Sequence, residues 1–158
     1  MTEKDTQTRL WQEITGMVVA AVILVMVAWL LVPEPLVGTP TQTELLSIRV
    51  ETTDQRVLSW KPRTVVQRQT ARAIVDYMAT LHKHNTLLPA KQAWQGKQSM
   101  VICLRTEDDY QVVVLGKGQE KGFAFGQDGL GLAGQVPACQ TLGEYIWAQI
   151  QEDLSAGA

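Results

Sequence analysis

Two cysteines, Cys103 and Cys139, and two histidines, His82 and His84, are the residues here with the widest chemical repertoire. A thiol can attack, ligate a metal or form a disulfide. In an oxidising compartment a Cys103–Cys139 bridge would stabilise the fold by up to roughly 4 kcal/mol. The alternative is two separate buried thiols, packed as small apolar groups. No histidine falls beside either cysteine in the expected layout, so a Cys–His nucleophile pair is not expected. His82 and His84, in HKHN, stand at the end of an expected helix, where this spacing turns them in different directions. Joint metal ligation would require extended backbone, and the helix dipole favours histidine at that end without a metal.

Other polar motifs carry less chemistry. GKGQEKG (116–122) lacks the spacing of a phosphate loop and the helix that should follow it, so its glycines suit turns. TEDD (106–109) gathers acids at a hairpin tip, where solvated carboxylates are the ordinary outcome. No carboxylate sits inside an apolar run that would raise its pKa for acid–base work. No catalytic residue, metal site or cofactor is therefore expected. The large aromatics are mostly core material, but Trp60, Trp94, Phe123 and Phe125 are candidates for a binding face.

These residues need elements to position them, and the first is unmistakable. From Ile14 to Val32 no side chain is charged and only Thr15 is polar. Nineteen helical residues (14–32) reach about 28 Å, close to the ~30 Å hydrocarbon layer of a bilayer. Trp11 and Trp29 lie near its ends, and Pro33 and Pro35 stop it. The run exceeds the ~7–15 residues of a secretion signal and lacks the small residues of a cleavage site, which indicates a retained signal-anchor. Lys4 and Arg9 precede it, and the next basic residue is Arg49, so the positive-inside rule places the N-terminus in the cytoplasm and the rest outside the plasma membrane. Within the span Gly16 and Ala20 form a small-xxx-small pair, a candidate helix–helix contact.

The reading is a cytoplasmic tail over 1–13, a transmembrane helix over 14–32, a Pro/Thr-rich linker over 33–43 and an extracytoplasmic domain over 44–158. ELLSIRVE alternates, with Leu46, Ile48 and Val50 on one side, and predicts a strand; RVLSW predicts a second after a turn at Thr53-Asp54. TVVQRQTARAIVDYMATLHKH predicts a helix capped by Thr64 and ended by Asn85 and Pro89, with Val66, Ala73, Ile74, Tyr77, Met78 and Leu81 on its apolar face. AKQAWQGKQ reads as a loop. SMVICLRT, YQVVVLG, FAFG and LGLAGQV follow as short strands. Thr141 and Glu144 have capping-box spacing, opening a last helix that presents Leu142, Tyr145, Ile146 and Ile150. The expected class is α+β: a two-layer domain of antiparallel sheet with two helices on one face.

A net charge of -2 with no basic stripe argues against nucleic acid as a partner. The lipid bilayer is the expected partner, with a protein partner at the cell surface or within the membrane. LLSIRVE, RQTARAIVDYMATL, YQVVVLG and FAFG together resemble the small extracytoplasmic domains of bacterial (Gram-positive) lipoproteins and membrane-anchored proteins. The resemblance spans roughly residues 44–154 and implies no activity; the lipobox cysteine usual in that group is missing. GMVVAAVILVMVAWLL also resembles the start of pilin-like subunits, but Ala21 stands where their glutamate belongs. The sequence thus points to a single-pass membrane-anchored protein whose outer domain is a non-catalytic binding or scaffold module. The alternatives are a subunit of a membrane or cell-surface assembly, pilin-like or similar, and an extracytoplasmic enzyme.

Overall fold

The computed structural model describes residues 3–93, 98–116 and 121–156. Internal contacts divide the chain into two units that meet at the Val32–Pro33 bond. The first is the helix α1 (Glu3–Leu31), long and apolar enough over Thr6–Leu31 to cross a membrane. Thr15, its one polar residue in the apolar run, returns its Oγ1 proton to the Trp11 carbonyl at 2.7 Å. The helix ends at Leu31, just before Pro33.

The second unit is an α+β fold built on an eight-stranded antiparallel sheet. Its strands are β1 (Pro33–Pro35), β2 (Glu44–Glu51), β3 (Val57–Trp60), β4 (His82–Pro89), β5 (Gln98–Arg105), β6 (Tyr110–Gly116), β7 (Gly122–Gly126) and β8 (Leu132–Val136). They lie in the order β1-β4-β8-β7-β6-β5-β2-β3. The helices are α2 (Val65–Ala79), the single turn α3 (Ala90–Ala93) and α4 (Cys139–Ala156).

Period-two alternation gives the sheet two apolar faces. One carries Ile48, Val50, Ile102, Leu104, Val113, Leu115 and Val136 against Ile74 and Met78 of α2 and Leu142, Ile146 and Ile150 of α4. Tyr77 and Tyr145 stack across the two helices, with ring centroids 4.0 Å apart. The other holds a smaller cluster of Val112, Val114, Phe125 and Ala133 under Ala90 and Ala93 of α3. The two expected helices do share one face.

Five local expectations are corrected. Residues 33–43 are not a spacer: β1 pairs with β4, and Leu36 and Val37 are only 1% and 2% exposed. The Leu36 amide donates to Leu81 O at 2.8 Å, Gln111 Nε2 to Leu36 O at 3.2 Å and Arg72 Nη1 to Pro40 O at 2.6 Å. In β2 a bulge between Leu45 and Ser47 shifts the phase, so Leu45 rather than Leu46 is buried beside Ile48. The helix α2 is capped reciprocally by Thr64 and Gln67 but stops at Ala79. Its buried stripe is Ala71, Ile74, Val75 and Met78, which leaves Val66 70% exposed. HKHNTLLP then forms β4, between β1 and β8. AKQA makes the turn α3 instead of continuing a loop. The helix α4 begins at Cys139, with the Leu142 amide already bonded to Ala138 O, so Thr141 lies inside it and not at a cap.

The β2–β3 hairpin shows a specific turn chemistry. The Gln55 amide donates to Thr52 O at 3.0 Å and the Thr52 amide to Arg56 O at 2.9 Å, with Gln55 at φ 61°. This is a three-residue loop whose last residue, Gln55, is left-handed, a position where glycine avoids the Cβ clash. Gln55→Gly is expected to raise stability by about 1 kcal/mol, read as a higher thermal midpoint.

Candidate functional site

The structure distributes the residues singled out by type. Cys139 belongs to the helix-covered core and Cys103 packs against the α3 cluster on the opposite face. Both thiols are free and on opposite faces of the sheet, which fits the two separate thiols and not the possible disulfide. Burial pushes the Cys139 pKa up, a hydrogen bond involving the Gly116 backbone opposing it in part. A protonated buried thiol is a poor nucleophile.

The aromatic candidates also separate. Trp60 is 3% exposed and its Nε1–H donates to Asp153 Oδ2 at 2.8 Å, so it is a core residue with its polar atom satisfied. Phe125 is buried and Phe123 half-buried in the α3 cluster. Trp94 lies outside the described residues. Gly16 has open space where a side chain would project, and Ala20 is exposed on the same helix.

His82 and His84 lie two apart on a strand, on one side of it, opposite Pro35 and Pro33. The extended backbone that joint ligation would need is therefore present. Among the described residues, however, no three His, Cys, Asp or Glu side chains come close enough to hold a metal. Lys83 and Asn85 alternate with the histidines and both engage Glu34, at 3.9 Å and 3.1 Å. In TEDD, Asp109 closes the β5–β6 turn: its Oδ1 accepts the Tyr110 amide at 2.7 Å and its carbonyl accepts Thr106 Oγ1 at 2.8 Å. Most of GKGQEKG falls outside the described residues.

What residue type alone did not reveal is a groove of about 650 Å³ between α4 and the ends of β2, β5 and β6. Val50, Met100 and Leu115 form its floor, Gly143 and Trp147 its helical wall. Glu51, Ser99, Gln140 and Glu144 supply polar atoms at its lining, and Gln140 Nε2 donates to Glu144 Oε1 at 3.0 Å. Trp147 is 38% exposed while Ile146 and Ile150 beside it are fully buried. The groove exists because α4 carries glycine one turn before Trp147: a Cβ at Gly143 would meet only the Leu115 side chain, at 3.4 Å. Cys139, Gly143 and Trp147, spaced by four, form one helical stripe, and that spacing is the signal the sequence offered.

No protein-family model, curated protein or solved structure matches this chain.

Such a groove suits an apolar or aromatic group with a few hydrogen-bonding atoms, held under a tryptophan.

Proposed function

We propose that this is a single-pass membrane protein whose folded domain lies outside the cell membrane and binds a partner molecule in the Trp147 groove without transforming it. The observation that carries the reading is a ready-made apolar cleft, with a half-exposed tryptophan at its wall, on a domain joined to a membrane-length helix. The likeness to extracytoplasmic domains of lipoproteins and membrane-anchored proteins belongs to the same proposal, as does the cytoplasmic N-terminus.

Two measurements test it. Leu130, 75% exposed in the β7–β8 turn, serves as a labelling position once replaced by cysteine. A membrane-impermeant maleimide is expected to label Leu130→Cys in intact cells; labelling only after permeabilisation would reverse the topology. For the groove, the neutral dye Nile red is expected to bind stoichiometrically with blue-shifted emission. Gly143→Leu fills the groove and removes a helix-weakening glycine, so it should abolish dye binding at unchanged or higher stability. Equal dye binding by that variant would sink the reading.

A further inference from the structure

The sheet has two edges, and they are built differently. At one, β1 consists of Pro33, Glu34 and Pro35, and proline has no N–H to offer a further strand. At the other, β3 contains no proline and no charge: Val57, Leu58, Ser59 and Trp60. The bonds that close the β2–β3 turn set the phase of the hairpin. Thr52 and Arg56 form a bonded position, so with Val50 opposite Leu58 and Ile48 opposite Trp60 these pairs are bonded in turn. Val57 and Ser59 then direct their N–H and C=O groups away from the sheet. Both have exposed side chains, so the outer edge is open.

Beside that edge runs a second groove of about 490 Å³, bounded by Leu58, Lys61, Arg63, Gln67 and Leu154. Its one acid, Asp153, already accepts the Trp60 indole proton. Arg56 precedes the strand, and Lys61 and Arg63 follow it, with Arg68 on the first turns of α2. Among the described residues these four bases make no ion pair, whereas Arg72, Lys83 and Arg105 each do. Glu51 and Asp54, at the turn end, are outnumbered by them.

We propose that β3 is a docking edge for an extended, acidic segment of a partner protein, which adds as a ninth strand and sets its carboxylates against Lys61 and Arg63. Backbone bonds to Val57 and Ser59 give affinity, and the unpaired bases give selectivity for acid. A second copy of this chain is a poorer occupant. Two-fold pairing of β3 would join only four residues of strand, about 13 Å, and would bring the bases of each copy together. This docking edge is separate from the Trp147 groove and does not depend on it.

The test uses the full chain in mild detergent and a fluorescein-labelled synthetic peptide of alternating glutamate and valine, read by anisotropy. A lysine–valine peptide of the same length is the control. The acidic peptide is expected to bind saturably and to weaken as salt rises, and the lysine peptide is expected not to bind. Ser59→Pro removes one outward N–H from an edge position where proline is tolerated, and should weaken binding at least tenfold. Lys61→Glu with Arg63→Glu should weaken it similarly. The circular dichroism spectrum and the thermal midpoint of each variant report whether the fold is retained. Absence of saturable binding, equal affinity for both peptides, or binding unaffected by Ser59→Pro in the folded variant would overturn the proposal. So would a concentration-dependent dimer of the full chain that Ser59→Pro dissolves.

Discussion

A chain that begins at Pro33 is expected to stay folded and to dissolve without detergent, whereas one that begins at Glu44 is expected to lose its cooperative structure. The shorter chain discards the edge strand β1 and, with it, Leu36 and Val37, two residues buried in the helix-covered core with Ile74 and Met78. Truncating one buried leucine to alanine costs about 2–5 kcal/mol, and a small domain has only about 5–15 kcal/mol to lose. The lost segment also satisfies polar groups elsewhere: Arg72 Nη1 on Pro40 O, Gln111 Nε2 on Leu36 O and Asn85 Nδ2 on Glu34 Oε1. Circular dichroism melts of the two truncations decide the matter, with Leu36→Ala in the Pro33 chain as the milder variant. If the Glu44 chain melts cooperatively within a few degrees of the longer one, residues 33–43 are a spacer after all.

Trp60→Ala is the second large effect, an expected loss of about 3–5 kcal/mol. The indole fills the space between β3 and α4, and its Nε1–H ties Asp153 at 2.8 Å, near the C-terminal end of α4. Trp60→Phe keeps most of the volume and removes the hydrogen bond to a charged group, so it should cost about 1.5–3 kcal/mol. Denaturant titration of both variants separates the packing contribution from the polar one. A binding-face tryptophan would behave in the opposite way, leaving stability unchanged on truncation. Trp147, at 38% exposure, is the residue from which that behaviour is expected.

The contrast between these two tryptophans shows what could be read from the chain and what could not. The β-rich run YQVVVLG declared itself as a strand, and α2 announced its start through Thr64 and its register through Ile74 and Met78. Period and capping are local, so a local reading finds them. The misreadings share one cause: tertiary context overrode local preference. HKHNTLLP has no apolar alternation, yet hydrogen bonding on both flanks by β1 and β8 holds it extended. Pro33 and Pro35 look like punctuation, but an edge strand can hold residues without donors. The bulge at Leu45 and Ser47 exchanged which leucine is buried, a one-residue slip that no pattern of eight residues reveals. The groove was the least legible feature. Its wall is one helix and its floor comes from β2, β5 and β6, up to about a hundred residues earlier, so only the Cys139, Gly143, Trp147 stripe hinted at it.

The strand order also has a consequence for biosynthesis. Strands β5 to β8 form a meander in which each pairs with the next, and hairpins of this kind close within microseconds of leaving the ribosome. The flanks are different. His84 waits for Gln135, and β2 waits for β5, partners synthesised roughly fifty residues later. By then an apolar N-terminal helix has long since emerged. The early half of the domain can pair only β2 with β3 and β1 with β4, so the inner edges of β2 and β4 stay open until β5 and β8 arrive. An open edge of that kind calls for shielding by a chaperone until the sheet closes.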